Sequence, residues 1–487
     1  MKYVRGKRIA AVLLAGTMAL GLLGGCAKKT EVLSPSDPVN LTVWHYYNGP
    51  QMAAFDTLVE KFNSTLGREK GIYVSGYSKG SVSELETAIM DSLNEQVGAE
   101  PMPDLFSSYA DTAYTAARSG ALANLSDYFT EEELGAYIPS YVDEGRIGPD
   151  GTLVIFPVAK STEIMMLNKT DWDVFADATG TDLSQLATIE GVVQAAKTYY
   201  DWTDSLTPDV PDDGKALYGR DAVANYFFTG SCQLGQELLA VQDDRASINA
   251  DKDVFRKLWE NYYVPMVSGW FGAYGKFRSD DVKTGDLLAY TGSTASVGYF
   301  PTQVLDDTDT HPIEYLVLSA PVFAGGQKVV VQQGAGMAVT KSDSRRELAC
   351  VEFLRWFTKP ENNIVFGASS GYLPVTVQAQ QMDTFQKVVS DENVTMNPVT
   401  DDCIRFCIED MSDYSYYSPQ TFSSGSALRK VLEYGLSDKA AADIEAIAQA
   451  VAAGLPKQEV LKTYVSEEAF ETWYKEFTQR LTEAAAQ

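Results

Sequence analysis

Histidine and cysteine are scarce in this sequence of 487 residues, which contains two histidines, His45 and His311, and five cysteines. So few histidines nearly exclude a histidine-rich metal site and make histidine-based catalysis unfavourable. No Cys₄ zinc signature is present. Cys403 and Cys407 lie four residues apart, on one face if their segment is helical, and two buried thiols fit them better than a disulfide or a metal site. The sequence therefore predicts no metal and no cofactor.

Positive charge is also in short supply. Lysine and arginine number 39 against 66 aspartates and glutamates, which gives a formal net charge of −27. Such a surface repels phosphate backbones and anionic lipid, so we expect no nucleic-acid partner. The 45% hydrophobic and 22% charged residues are ordinary for a globular protein with a large core. The length suggests two or three domains.

The amino terminus lacks an apolar run of comfortable membrane-spanning length. Four basic residues stand within the first eight positions, and an apolar run of about 15 residues follows, whereas a span needs roughly 20. The run ends in Leu23-Gly24-Gly25-Cys26. This arrangement resembles the lipobox of bacterial lipoproteins.

The lipobox resemblance implies a location and an anchor. Residues 1–25 would be a signal peptide, Cys26 the lipidated residue and 26–40 a tether. The protein would then be extracytoplasmic and held at the cell membrane, on either the cell surface or the periplasmic side. An uncleaved anchor with an unmodified cysteine is the alternative.

The chain after the tether begins with an α/β pattern. Leu41 to Tyr46 is strand-like, residues 51–65 carry apolar side chains at helical spacing, and Gly71 to Ser75 forms a second strand candidate. Strand, helix and strand at this spacing predict a βαβ unit on a parallel sheet. The capping-box spacing Ser/Thr-x-x-Glu predicts three later helix starts, at Ser83 with Glu86, Thr130 with Glu133, and Ser344 with Glu347.

Several segments carry a family resemblance through their shared order along the chain. They are Leu41–Pro50 with Leu58–Asn63, Pro103–Phe106 with Gly120–Leu125, Phe156–Lys169, Gly334–Lys341 and Gly371–Val375. Together they resemble the extracellular solute-binding proteins of ABC importers, in the sugar-binding branch related to maltose- and glycerol-3-phosphate-binding proteins. Leu167 departs from the pattern, because tyrosine is usual there.

This resemblance implies a type II periplasmic-binding-protein-like fold, α/β, with two discontinuous lobes, a hinge and an interlobe cleft. Lobe one would comprise residues 36–158 plus 318–368, and lobe two residues 160–317 plus 369–487. The implied function is capture of a carbohydrate, most simply an oligosaccharide, by a monomer that closes around it and delivers it to the permease subunits of an ABC transporter. Glycerol-3-phosphate or another polyol is the alternative ligand.

Candidate ligand-binding residues follow the predicted strands, lie at the crossings between lobes, or belong to aromatic clusters near glycines in lobe two. Aromatic rings stack on sugar faces, and amide or hydroxyl groups bind sugar hydroxyls. The candidates are Trp44, Tyr46, Tyr47 and Asn48; Ser108, Tyr109 and Asp111; Glu163; Tyr226, Trp270, Thr291 and Ser293; and Gln333 and Tyr372. Simpler roles compete: core packing for Trp44 and Tyr46, helix capping for Ser108 and Asp111, and a hinge salt bridge for Glu163.

Two enzyme classes can be tested against the sequence. Gly367-Ala-Ser369-Ser-Gly371 matches the Gly-x-Ser-x-Gly pattern, but a helix precedes it and no histidine follows position 311, which excludes the usual hydrolase order. An exported glycoside hydrolase would need two carboxylates at a set separation, and nothing singles out such a pair among 66 acidic residues. The sequence therefore favours binding without catalysis.

Overall fold

The computed structural model describes residues 33–305 and 310–486. The predicted signal peptide, Cys26 and the first part of the tether lie outside these residues.

Strands and helices alternate along most of the described chain. The strands are β1 Val39–His45, β2 Ile72–Ser78, β3 Leu105–Ser108, β4 Ile155–Phe156, β5 Glu163–Asn168, β6 Tyr218–Arg220, β7 Leu239–Gln242, β8 Arg245–Ile248, β9 Ala289–Ser293, β10 Gln303–Leu305, β11 Thr310–Pro312, β12 Tyr315–Ser319, β13 Val329–Val331, β14 Gly336–Val339 and β15 Ser415–Tyr417. The helices are α1 Gly49–Ser64, α2 Leu66–Lys70, α3 Val82–Leu93, α4 Ala110–Arg118, α5 Glu131–Leu134, α6 Pro139–Asp143, α7 Lys169–Thr179, α8 Ile189–Ser205, α9 Val223–Gln233, α10 Lys252–Ser268, α11 Arg278–Lys283, α12 Ser344–Phe357, α13 Pro360–Ser370, α14 Met382–Asp391, α15 Pro398–Glu409, α16 Gly425–Tyr434, α17 Ser437–Ala452, α18 Lys457–Tyr464 and α19 Glu467–Ala485.

Lobe one is built on a five-stranded sheet in the order β2-β1-β3-β14-β4. Strand β1 pairs in parallel with β2 and β3, so the predicted βαβ unit is confirmed. Strand β14 joins antiparallel from far along the chain. Helices α1, α12 and α13 pack over this sheet and bury Phe55, Phe62, Phe353 and Phe357.

Lobe two is built on a four-stranded sheet in the order β12-β5-β9-β6. Strand β6 runs parallel to β9, while β5 is antiparallel to both β9 and β12. Helices α8, α9, α10, α16 and α19 enclose an aromatic core that includes Phe227, Trp259 and Phe477. The two sheets therefore give the two-lobed α/β fold expected from the sequence.

Three crossing segments join the lobes and hydrogen-bond to one another. Lys160 exchanges two backbone hydrogen bonds with Leu373, and Ser161 exchanges two with Gln333. Gly334 has φ +92°, and a Cβ there would lie 2.6 Å from the Ala159 carbonyl oxygen, so glycine is required where these segments meet. The crossings thus form one small, tightly packed hinge.

The strand pairing corrects one expected lobe boundary. Residues Tyr315–Ser319 pair with β5 of lobe two, and Val329–Val331 pair with β15 rather than with the first sheet. The second segment of lobe one therefore begins near Gly336 and not at residue 318. The short apolar strands on both sides of the crossing look alike in sequence, so the resemblance alone placed the boundary too early.

Helices begin within one residue of all three predicted starts, at Val82, Glu131 and Ser344, but only one of the three has the predicted capping box. Thr130 and Glu133 form the predicted reciprocal box. The boxes at Ser83 and Ser344 are wrong, because Ser81 caps α3 and Asp343 caps α12. The Glu347 carboxylate instead accepts hydrogen bonds from the Ser342 amide, at 2.7 Å, and from the Tyr128 hydroxyl.

Helix α15 places Cys403 and Cys407 on one buried face as free thiols. Within residues 33–305 and 310–486, no helix combines the length and apolar character needed to cross a membrane.

A buried ion pair fastens the hinge. The Lys160 side chain, 1% exposed, places its ammonium 2.6 Å from Glu144 Oε1 and 2.9 Å from the Gly334 carbonyl oxygen. The Glu144 carboxylate also accepts hydrogen bonds from the Gln332 amide and from Ser418 Oγ, the latter at 3.1 Å. One carboxylate of lobe one therefore binds two crossing segments and one residue of lobe two.

We expect Lys160→Met to lower the free energy of unfolding by about 3 kcal/mol. The variant leaves the Glu144 carboxylate partly buried without its cation, and breaking such a buried pair costs roughly 3–5 kcal/mol. The loss should lie at the lower end of this range, because Gln332 and Ser418 still donate hydrogen bonds to the carboxylate. Denaturant unfolding measures it. The double variant Lys160→Met/Glu144→Gln is the control and should recover part of the loss. A single variant as stable as the wild type would contradict this role.

Candidate functional site

The strand ends that face the other lobe converge on one cleft. In lobe one, β1 and β3 run toward it and end at His45 and Ser108; in lobe two, β6 and β9 end there at Arg220 and Ser293. The lobes touch where Gln51 Nε2 donates to the Ala295 carbonyl oxygen at 3.3 Å. Loops at the carboxyl ends of strands are the usual ligand sites of α/β sheets.

A cluster of three tyrosines forms the lobe-one side of the cleft. The Tyr46 and Tyr372 hydroxyls lie 3.2 Å apart, and the Ala335 amide donates to the Tyr46 hydroxyl at 3.4 Å. The Tyr46 and Tyr109 rings are inclined by 20°, with centroids 6.3 Å apart. Burial raises the pKa of Tyr46 to about 12, so its phenol stays neutral at physiological pH. The structure thus brings together three of the sequence-predicted residues.

Tyr47 corrects the expectation that it faces the cleft. It is 1% exposed and packs against Phe55 and Phe366. Alternate side chains of β1 point toward α1, and Val43 and His45 are buried there. Tyr47, two residues after His45, points in the same direction and is buried with them. Tyr46 points the other way and reaches the tyrosine cluster.

Other predicted residues serve the scaffold. Trp44 is a core side chain beneath the Lys79 ammonium, 3.7 Å from its ring centroid. Thr291 is fully buried and bonds the Tyr218 hydroxyl, and Tyr226 donates to the Leu258 carbonyl oxygen at 3.0 Å. Trp270 lies at the amino end of β6, away from the cleft, where its carbonyl accepts from the Leu217 amide.

Four further candidates lie near the cleft with local partners. Ser108 Oγ donates to the Tyr109 carbonyl oxygen, and Ser293 Oγ accepts from the Ala295 amide. The exposed Asn48 amide donates to the carbonyl oxygens of Tyr46 and Gly80. Gln333 belongs to the hinge crossing. These side chains hold the loops of the cleft in place.

A chain of polar side chains lines the lobe-two side. The Glu163 carboxylate lies 2.9 Å from Arg220 Nη2 and accepts from Asn225 Nδ2, also at 2.9 Å. Arg429 Nη2 in turn donates to Asn225 Oδ1 at 2.9 Å. Glu163 therefore takes the salt-bridge role that was its alternative, and it orients the Asn225 amide toward Arg429.

Three residues of this chain were not predicted from the sequence, namely Arg220, Asn225 and Arg429. Asn225 alone had a local signal, because an asparagine inside the apolar run Val223–Phe228 is unusual and is fully buried in the fold. Arg429 lies on α16, over 200 positions further along the chain, and nothing near it marks it as a cleft residue.

Two carboxyl groups of lobe one face Arg429 across the cleft. Burial raises the pKa of Asp111 to about 6, and the Arg429 guanidinium opposes that rise. Burial also raises the pKa of Glu86. Within the described chain, no carboxylate comes within ion-pair distance of Arg429. Its guanidinium is thus held by Asn225 while its remaining N–H donors are uncommitted.

The lobes also meet at the mouth of the cleft. Arg118 Nη1 of lobe one lies 3.6 Å from Asp244 Oδ2, and the Asp244 carboxylate accepts from the Ser423 amide and hydroxyl at 2.8 and 2.7 Å. Asp243 and Asp244 both have positive φ and form the tight turn of the β7–β8 hairpin. The hairpin tip therefore contacts lobe one, as in a closed cleft.

The Gly-x-Ser-x-Gly match can be compared directly with the structure. Ser369 lies in the last turn of α13 instead of at a strand-to-helix turn, so the Gly-x-Ser-x-Gly match has the wrong structure. Residues 33–305 and 310–486 contain no group of three or more His, Cys, Asp or Glu side chains that could hold a metal ion.

We expect Asp111→Asn to stabilise the protein at neutral pH. The Asp111 carboxyl has a pKa of about 6 in the folded protein and of about 4 in the unfolded chain. The folded state therefore loses stability as the pH rises from about 4 through 6, because the carboxyl must ionise while it is buried. The variant should match the wild type near pH 4 and exceed it by about 1–2 kcal/mol at pH 7, after a discount for partial solvent access. Unfolding measured across this pH range tests the effect. Asp91→Asn, an exposed change on α3, is the control; a pH-independent difference would contradict the assignment.

The fold and the cleft define a two-lobed binding protein. The chain belongs to the bacterial extracellular solute-binding protein family, whose model matches residues 57–394. This family consists of substrate-binding proteins and not of enzymes, and its members are extracytoplasmic. No curated protein sequence matches the chain.

Solved structures share the fold over most of the chain. The cyclic alpha-maltosyl-1,6-maltose binding protein of Arthrobacter globiformis is 19% identical, with TM-score 0.62, over 92% of this chain and 100% of that one. UgpB of Mycobacterium tuberculosis, in complex with glycerophosphocholine, is 18% identical, with TM-score 0.62, over 92% and 99%. Lmo0181 of Listeria monocytogenes, in complex with cycloalternan, is 16% identical, with TM-score 0.61, over 91% and 100%.

Proposed function

We propose that the protein is a membrane-anchored lipoprotein that captures a carbohydrate in the interlobe cleft and delivers it to the permease of an ABC importer. Binding and lobe closure are the whole mechanism, and no bond is made or broken. The anchor is the lipid on Cys26, and the working unit is a monomer.

The choice of a carbohydrate as the ligand depends on one observation. The Tyr109 phenol, which clusters with Tyr46 and Tyr372, lies near enough to the Arg429 guanidinium for that charge to oppose the rise of its pKa on burial, and Asn225 holds the guanidinium in place. Phenol rings offer apolar faces to sugar carbons, and phenol, amide and guanidinium groups bind hydroxyls. A set of mostly neutral groups with aromatic rings suits an uncharged, hydroxyl-rich solute.

The relatives support the same class. Two of the similar folds carry names that specify a cyclic maltosyl-maltose and cycloalternan, which are both oligosaccharides. Their low identity transfers no residue roles to this chain. The ligand class therefore depends on the cleft itself, and an oligosaccharide is the first ligand to test.

We expect Arg429→Gln to weaken sugar binding by about 10-fold or more, because the variant removes the guanidinium N–H donors that have no partner in the cleft. Hydrogen bonds to charged groups contribute roughly 1.5–3 kcal/mol, which accounts for a change of this size. A thermal-shift panel of mono- and oligosaccharides identifies the ligand, and calorimetry on residues 33–487 gives the dissociation constant. Arg68→Gln, an exposed change at the far edge of the first sheet, is the matched control. Unchanged affinity in Arg429→Gln would contradict this site.

A phosphodiester or phosphorylated polyol is the second candidate. It is favoured by Arg429, whose guanidinium has no ion-pair partner within the described residues, and by the fold shared with the glycerophosphocholine complex. Such a ligand should bind with an affinity that falls steeply with salt, whereas a neutral sugar should not. A hit from glycerol-3-phosphate or glycerophosphocholine alone would replace the carbohydrate assignment.

We expect Cys26→Ser to release the protein from the membrane, because it removes the only thiol at the lipobox end of the apolar run. A single lipid-bearing anchor accounts for membrane retention in this proposal. Fractionation of cells that express the full chain, with Cys232→Ser as control, measures the effect. Retention of Cys26→Ser in the membrane fraction would favour an uncleaved apolar anchor instead.

A further inference from the structure

Helix α4 of lobe one turns one side toward lobe two. Asp111, Tyr114 and Arg118 are spaced by three and four residues, so they share one side of the helix. Asp111 lies against the first residue of α16, since a Cβ at Gly425 would be 2.5 Å from Asp111 Oδ1. Arg118 Nη1 lies 3.6 Å from Asp244 Oδ2, and Tyr114 hydrogen-bonds to the same carboxylate. We call these three side chains of α4 the clamp face.

The β7–β8 hairpin, which presents Asp244 to the clamp face, is fixed to lobe two at its base and at its tip. The side chains of Val241 and Ala246 pack against the core of lobe two, and the Val241 amide donates to Gln420 Oε1 at 2.8 Å. At the tip, the Asp244 carboxylate accepts from the amide and hydroxyl of Ser423. The hairpin therefore moves with lobe two, and its contact with the clamp face breaks when the lobes separate.

The Asp244 carboxylate stays ionised at this contact. Burial acts to raise its pKa, but hydrogen bonds with Ser423 and Tyr114 and the charge of Arg118 lower the pKa overall. The side chains of Arg118 and Asp244 are 55% and 20% exposed. An exposed pair of this kind is weak, so its loss shifts the equilibrium between lobe positions without unfolding either lobe.

Two further contacts between the lobes form away from the tyrosine cluster. Lys61 Nζ of α1 lies 2.9 Å from Glu392 Oε2, which follows α14 of lobe two. Gln51, also on α1, donates to the Ala295 carbonyl oxygen. The lobes thus hold each other through groups of the chain itself, and these contacts stabilise the closed arrangement whether or not a solute is bound.

We propose that the contact of Tyr114 and Arg118 with Asp244 is a latch, which keeps part of the ligand-free population closed before a solute binds. The latch residues position the lobes and do not touch the solute. The inference rests on the proposed function for its role in capture, whereas the closure itself is a property of the ligand-free chain. A solute enters and leaves only through the open state, so the latch slows both steps.

Two variants that each remove one charge test the latch. Arg118→Gln removes the cation. Asp244→Asn removes the anion but keeps the turn, because asparagine tolerates the positive φ of this position and its carbonyl oxygen can still accept from Ser423. The matched controls are Arg245→Gln and Asp243→Asn, exposed neighbours in the same hairpin that form no ion pair within residues 33–305 and 310–486.

The separation of the lobes is measured in the full chain, purified in detergent without added sugar. Spin labels on Asp91→Cys in lobe one and Gln458→Cys in lobe two, both exposed positions, report the distance in a Cys232→Ser background. We expect the ratio of closed to open molecules to fall about 3-fold in Arg118→Gln and in Asp244→Asn, which is the effect of one exposed ion pair. The double variant should show no further loss, and both controls should match the wild type.

A wedge between the lobes provides a second test that does not depend on charge. Gly425→Ala places a methyl group against Asp111 Oδ1, and φ at this position is not in the left-handed region, so the helix itself tolerates alanine. We expect this variant to lose the closed population. Asp111→Ala added to Gly425→Ala removes the clashing oxygen and should restore closure.

Stopped-flow kinetics with maltotriose and with glycerophosphocholine measure what the latch does during capture. We expect both association and release to be faster in Arg118→Gln and Asp244→Asn, with release about 3-fold faster. The loss of a solute contact would speed release alone, because affinity changes at a binding site lie mostly in the dissociation rate.

The outcomes separate the latch from the solute assignment. A wild type that is fully open without sugar, or equal lobe separations in the wild type and both latch variants, overturns the latch. If neither probe binds while the distances change as expected, the latch is supported and the failure falls on the proposed solute. The unfolding transition of each variant checks that it is folded.

Discussion

The geometry of the cleft depends on the buried contact between the Lys160 ammonium and the Glu144 carboxylate. A charge removed from water this completely must be paired, and Glu144 with the Gly334 carbonyl pairs it. Because the same carboxylate binds Gln332 and Ser418, the position of one side chain links lobe one, two crossings and lobe two. The three-stranded hinge then sets where Tyr372 and Ala335 lie, and through them the tyrosine cluster.

Local sequence patterns were sufficient for the opening βαβ unit of the first lobe. Alternating apolar residues in Leu41–Tyr46 and helical spacing after Gly49 predicted the βαβ unit, because nearby residues make those contacts. They failed where the decisive contact was distant. Asp343 replaces Ser344 as a cap since Glu347 is drawn to Ser342 and Tyr128, which a capping-box pattern cannot anticipate. The lobe boundary was misplaced for the same reason, because strand partners decide it.

The candidate site shows the same distinction between local sequence patterns and distant contacts. Tyr46, Tyr109 and Tyr372 were predicted because each follows a strand or crossing, which is a local property. Asn225 and Arg429 were missed because the Glu163–Asn225 and Asn225–Arg429 bonds join residues 62 and 204 positions apart. Tyr47 was misplaced since strand alternation continued beyond the strand end. Sequence position located the loops of the cleft, whereas the direction of each side chain depended on packing.

The charges of the cleft bear on which solute it suits. Arg220 is neutralised by Glu163, and Arg429 faces Asp111 and Glu86, whose pKa values burial raises. A bound phosphate would have to share Arg429 with these two carboxyl groups, and the acidic surface of a chain with net charge −27 would repel it on approach. A neutral sugar incurs neither cost, because the partly exposed phenols of Tyr46 and Tyr109 can bind its hydroxyls while the charged groups remain balanced. The electrostatic arrangement thus favours the carbohydrate over the phosphodiester in the same cleft.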